Sequence, residues 1–146
     1  MSQFMARALD LASKAADQGE VPVGALITKG DQIIAEAHNL VETNGQAADH
    51  AEMLALRQAS HTLGQKFLTD CTLWVTLEPC PMCAAAIAHA RIGKVVFAAS
   101  DPKSGGVLFG PQVFDQPTCH HKPEVVSGVN AKESEELLKK FFQAKR

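Results

Sequence analysis

The chain has 146 residues, 46% of them hydrophobic and 21% charged, with a net charge of −2. That balance excludes a disordered or fibrous chain and suits one domain, residues 1–146, with a core of its own. A pI of about 6.3 lacks the basic surface usual for nucleic-acid binders and leaves room only for a local basic patch.

Phe4, Ala8, Leu11 and Ala15 recur near helical spacing, so residues 3–17 are expected to be a first helix. The same stretch mixes acids and bases and lacks the apolar block and cleavage site of a secretory signal. No apolar run reaches the roughly 18 residues of a membrane helix, and a cytoplasmic location is expected. "VPVGALIT" and "IIAEAH" read as strands around the turn "KGDQ", a hairpin. "NLVETNGQAAD" reads as a loop. A second helix is expected from His50 to about Ser60, with Asp49 as its N-cap. "CTLWVTL" is a third strand. "PCPMCAAAIAHARIG" is a third helix, with Pro81 at its first position and Gly93 as its stop. "KVVFAA" is a fourth strand, Ser100 to about Lys122 a long loop, "PEVVSG" a fifth strand and "AKESEELLKKFFQAK" a terminal amphipathic helix. This alternation argues a layered α/β domain with helices on a mixed sheet. The second and third helices read as apolar nearly all round, which places their N-termini inside the protein.

Those two N-termini carry the chemistry-bearing residues. The second helix begins His50-Ala51-Glu52 and the third is entered through Pro79-Cys80-Pro81-Met82-Cys83. Cys80 and Cys83, three apart, can point to one side of a first turn, where the helix dipole favours thiolates. One imidazole and two thiolates make three ligands, and zinc with three protein ligands and an open position is a catalytic site. Two thiolates cancel the charge of the ion, so its water gains from a neighbouring carboxylate. Glu52 is the candidate general base, not a fourth ligand. A lone C-x-x-C also fits a thioredoxin-type redox pair or half a structural zinc site. A lone H-x-E also fits a packed histidine beside a solvated acid. In this order, about 25 residues and one strand apart, they form the H-x-E…P-C-x-x-C pattern of the zinc deaminases.

With "EVPVGALI", Asn39, "HAEMLALRQA", "TLWVTLEPCPMCAAAIAHARIGKVVFAASDPKSGG", "PTCHHKPEVVSGV" and the terminal "LLKKFFQAKR", nearly the whole chain resembles the cytidine/deoxycytidylate deaminase superfamily. Within it, the nearest likeness is to the bacterial tRNA-specific adenosine deaminases. The resemblance implies a three-layer α/β/α cytidine-deaminase-like fold with a mixed central sheet of about five strands. It implies one Zn2+ per subunit on His50, Cys80 and Cys83. It implies conversion of adenosine to inosine at the wobble position of a tRNA anticodon loop, with Glu52 carrying the proton to the ring and then to the departing amine. Asn39 and the Ala51 backbone would hold the base. Asp101, Lys103 and Ser104 would touch neighbouring nucleotides, Phe142 and the terminal basic segment would grip the anticodon loop, and two subunits would shape the RNA surface as a homodimer. Where the family usually reads D-P-T-A-H-A-E, this chain reads "QAADHAE", with Asp49 directly before His50. A deaminase of a free base or nucleoside (guanine, cytosine or cytidine) is the second reading, and a zinc-stabilised binding module without activity the third.

Other residues have plainer readings. Cys71 and Trp74 are expected in the core. Cys119-His120-His121 is expected to order its loop or touch RNA rather than chelate a second metal, since adjacent side chains seldom share one ion. Ala84 to Ala90 suits close helix packing or a dimer partner. Lys139, Lys140, Lys145 and Arg146 read as a solvated face, and only the resemblance raises them to phosphate contacts.

Overall fold

The computed structural model describes residues 2–145. Along the chain run α1 (Ser2–Asp17), β1 (Gly24–Lys29), β2 (Gln32–His38), α2 (Val41–Asn44), α3 (Ala51–Leu63), β3 (Cys71–Leu77), α4 (Pro81–His89), β4 (Lys94–Ala99), β5 (Glu124–Ser127) and α5 (Ala131–Ala144), with a 3-10 turn at Val113–Asp115. The strands form one five-stranded sheet in the order β2-β1-β3-β4-β5. β1 is antiparallel to β2 and β3, while β3, β4 and β5 run parallel. The sheet is therefore mixed. With α1 and α5 on one face and α3 and α4 on the other, the expected three layers are present.

The alternation of side chains along a strand sorts the core into two. Leu26, Trp74, Val96 and Ala98 meet Met5 and Ala8 of α1 on one face. Ile27, Leu73, Val75, Val95 and Phe97 meet Ala55, Ala59, Ala84 and Ile87 of α3 and α4 on the other. β3 and β4 are covered on both faces, which is why "CTLWVTL" and "KVVFAA" are apolar almost throughout. Each fully buried valine, leucine, isoleucine, phenylalanine or methionine contributes roughly 1.5–3 kcal/mol. At Gly24, α1 lies so close to β1 that a Cβ would run into the Ala8 carbonyl.

Several expectations need correction. The loop after Asn39 contains α2, a single helical turn. His50, not Asp49, occupies the N-cap of α3. Asp49 instead accepts a hydrogen bond from Asn44 Nδ2 at 2.9 Å. The helix expected to run to Gly93 ends at His89, because Arg91 turns left-handed with φ 57°. Gly93 answers a different need: a Cβ there would strike the Thr69 carbonyl. Nor are α3 and α4 apolar all round. Arg57, Gln58, His61 and Thr62 are exposed on α3, as are Met82 and His89 on α4. Their first turns are nevertheless buried at Glu52 and Cys83. Arg146 lies outside the described residues.

Candidate active site

Two helix starts are brought together at the carboxyl end of the parallel strands, where open α/β sheets bind ligands. His50 is the N-cap of α3 and Cys80 the N-cap of α4, both in extended backbone. Neither residue type is favoured for capping, so a different demand places them. His50 Nδ1 lies 3.6 Å from Cys80 Sγ and 3.5 Å from Cys83 Sγ, and the three ligand atoms lie within 4.8 Å of one another. One imidazole nitrogen carries either a proton or a lone pair, so it cannot make two good hydrogen bonds at once. A shared cation accounts for both distances. A tetrahedral ion with Zn–S near 2.3 Å and Zn–N near 2.0–2.1 Å would hold nitrogen and sulfur roughly 3.6 Å apart.

Proton placement points the same way. The hydrogen bond from Cys83, aided by His50, lowers the Cys80 thiol to about 4. Cys83 is pushed upward by Cys80 and by burial. His50 is raised, chiefly by its hydrogen bond with Cys80. Each sulfur thus shifts the other, and ionising Cys80 opposes ionisation of Cys83. A second thiolate needs positive charge in their midst, and a dication supplies it. The His-Cys-Cys group therefore fits a thiophilic metal such as zinc.

A pocket of about 200 Å³ opens beside this group. Val21, Val23 and Leu77 form apolar walls, and Asn39, His50, Glu52, Glu78, Cys80, Asp101 and Ser104 supply polar groups. Cys83 is fully buried behind them. Glu52, in the first turn of α3, is 4% exposed. Burial pushes its carboxyl up to about 7. A dication on the neighbouring ligands would favour the ionised form and bring that value down. Ala51 is buried at the first position of α3. Asn39 is fixed by its backbone N–H, which donates to the Val23 carbonyl at 3.1 Å.

The structure distributes the other expected residues unevenly. Asp101 and Ser104 reach the pocket, while Lys103 is exposed outside it. Asp101 Oδ1 already accepts the backbone N–H groups of Lys103 and Ser104 at 3.2 and 3.1 Å, so part of its carboxylate closes its own turn. Phe142 lies on α5, does not line the pocket, and is 48% exposed, packed edge-on against Phe141. Cys71 and Trp74 are core residues, and burial raises the Cys71 thiol to about 11. His121 Nε2 bonds the Ile92 carbonyl at 2.7 Å, and the Cys119 thiol donates to the His121 carbonyl at 3.2 Å. That segment orders a loop. A larger hollow of about 550 Å³ runs along the outer side of α4, past Phe67, Ala85, Ala88 and His89. It holds none of the metal-type ligands of the site.

Two further buried carboxylates, Glu20 and Glu78, belong to no catalytic motif in the sequence. Glu20 accepts the backbone N–H groups of Glu42 and Thr43 and the Thr43 hydroxyl at 2.6–3.0 Å. Its carboxyl is held below the usual range because the Thr43 hydroxyl and these backbone bonds outweigh the opposing effect of burial. It fastens the segment that follows Asn39. Glu78 does the same for the segment that follows β4. The only sequence signal for either was an acid in an otherwise apolar setting, as in "TLEPC".

Comparison with known proteins places this geometry. The family model of the MafB19-like deaminases matches residues 1–146. A tRNA-specific adenosine deaminase of Agrobacterium fabrum is 45% identical over 145 residues, 99% of this chain and 95% of that protein. One from Bacillus subtilis is 46% identical over 145 residues, covering 98% and 89%. A solved structure from biochemical and structural studies of A-to-I editing by tRNA:A34 deaminases at the wobble position of transfer RNA superposes with a TM-score of 0.93. It is 44% identical and covers 94% of this chain and 100% of that one. Matched along almost its whole length, with the ligand group and acid in place, the chain belongs to the family of the bacterial tRNA-specific adenosine deaminases.

Proposed function

We propose that this chain is a zinc-dependent hydrolytic deaminase that converts adenosine to inosine at the wobble position of a tRNA anticodon, releasing ammonia. The observation that carries the reading is the convergence of His50, Cys80 and Cys83 on one point, with Glu52 in the wall of the adjoining pocket. The likeness to tRNA-specific adenosine deaminases favours an RNA adenosine over a free base. An inert binding module would have no use for a buried acid at that place.

Bound by His50, Cys80 and Cys83, zinc would supply an acidified water as nucleophile. Glu52 would be the proton carrier: its carboxylate would take the two protons of the nucleophile in turn, giving the first to ring N1 of the adenine and the second to the departing amine. The base is held by the Asn39 amide and the Ala51 backbone. Val21, Val23 and Leu77 exclude bulk water, which strengthens each polar interaction inside. Asp101 and Ser104 stand at the rim where nucleotides flanking the target would pass. Unstacked bases of an anticodon loop cost little to extract, which suits a pocket this small. Lys103, Phe142 and the basic end of α5 are outlying RNA contacts. The single domain is taken to act in the cytoplasm as a homodimer. The open side of α4, with its small residues Ala85 and Ala88, supports that assembly.

The test is an anticodon stem-loop carrying a wobble adenosine, assayed for inosine and ammonia. Turnover should stop with a chelator and return with added zinc. Ammonia from free guanine or cytosine, with none from the RNA, would replace this reading by the free-base one.

A further inference from the structure

Glu78 is 2% exposed and sits between the end of β3 and the metal-type ligand Cys80. Its Oε1 accepts the Asp101 N–H at 3.0 Å. Its Oε2 accepts three consecutive N–H groups, those of Val107, Leu108 and Phe109, at 3.1, 2.9 and 3.2 Å. Among the described residues no lysine, arginine or histidine pairs with it. Four backbone donors on one buried carboxylate are a strong, directional anchor, because hydrogen bonds to charged acceptors exceed neutral ones. The chain makes room for it. At Gly105 a Cβ would run into Glu78 Oε2, and at Gly106 one would lie 2.6 Å from Pro81 N. The anchored segment has no regular secondary structure that could shape it instead.

That segment carries Asp101 and Ser104 into the lining of the pocket that Glu52 and Asn39 also line. Its first residue is tied by Glu78 Oε1, its last three by Oε2, and the turn between by Asp101 itself. We propose that Glu78 is a positioning residue for substrate: its carboxylate fixes where the 101–109 segment stands relative to the catalytic centre. It thereby sets affinity for the nucleotides beside the target base. Glu78 borders the pocket, but both of its oxygens are engaged by backbone N–H groups, so its role is to hold the segment rather than to carry protons. The inference rests on the RNA reading given above.

Glu78→Gln keeps the size but puts an NH2 group against an N–H donor. The expected signature has three parts. Zinc content stays at the wild-type level. Hydrogen exchange at the amides of Asp101, Val107, Leu108 and Phe109 accelerates by about tenfold or more. KM for the stem-loop rises about tenfold while kcat changes by less than about threefold. Gly105→Ala disturbs the same contacts from the loop side and should reproduce that signature if Glu78→Gln fails to fold. Unchanged exchange, an unchanged KM, or a loss carried by kcat or by zinc content would overturn the proposal. If the wild type fails to deaminate the stem-loop, the RNA reading falls, while the exchange measurement still decides whether Glu78 holds the segment.

Discussion

On the face covered by α1 and α5, the core of Met5, Ala8, Leu26, Trp74, Val96 and Ala98 closes on itself. Polar atoms there are paired inside the protein: Trp74 Nε1 donates to Thr28 Oγ1 at 3.1 Å, and the Ser134 hydroxyl donates to the Thr76 carbonyl. On the opposite face α3 and α4 pack on the same strands, but start with His50 and Cys80 where a capping residue would stabilise them. A poor cap costs roughly 0.5–2 kcal/mol, and Glu52 adds a buried acid in the wall of a pocket. The core of the first face is packed and fully paired. The other face gives some stability up, and the deficit lies at the residues that would hold a metal and move a proton. Substitutions on the two faces should therefore separate activity from stability.

The largest effect is expected from Cys83→Ala. It should lose bound zinc and all measurable turnover, with a lower melting temperature, because metal binding is coupled to folding. Zinc analysis on the purified variant checks it. Glu52→Gln should lower kcat by about 10³-fold, within the range for general acid–base catalysis, while zinc content is unchanged. On the other face, Met5→Ala should cost about 2–5 kcal/mol in denaturant unfolding by opening a cavity. Its kcat and KM, measured where it is folded, should match the wild type.

A smaller effect concerns pH. The Glu52 carboxyl of the metal-free protein is raised by burial from 4.5 to about 7. The folded state then binds more protons than the unfolded state between those values. Stability from this group is complete below 4.5 and is lost as pH rises through about 7. Melting scans of metal-free wild type should fall over that interval, and Glu52→Gln should flatten the fall. Least affected should be Asp49→Asn. Asp49 faces Asn44 and steadies the link between Asn39 and His50, so KM should shift by less than about threefold.

The two faces also differed in how legible they were in the sequence. "CTLWVTL" and "KVVFAA" gave β3 and β4 with their observed bounds, because strands buried on both sides leave unbroken apolar runs. The structure places His50, Cys80 and Cys83 within 4.8 Å of one another, with Glu52 lining the pocket beside them; residues that converge from two helix starts stand at fixed spacings in the chain. Glu20 and Glu78 were invisible for the converse reason. Their partners are backbone N–H groups, which any residue can supply, so nothing in "VLF" marks the other half of the contact. Asp49 looked like the cap of α3 by residue type, yet the cap is His50, set by what its ring must reach. Gly93 looked like a helix stop and instead answers a long-range contact with Thr69. Phe142, implied by resemblance alone, is left apart from the pocket.

Conversion of a wobble adenosine is proposed to need one metal-type triad and one acid. Wild type and Glu52→Gln, brought to equal zinc content, should be compared for inosine formed in an anticodon stem-loop. The wild type should give inosine and ammonia in equal amounts, and the variant a roughly 10³-fold slower rate. Equal rates from the two proteins, or no inosine from a zinc-loaded wild type, would contradict the proposal.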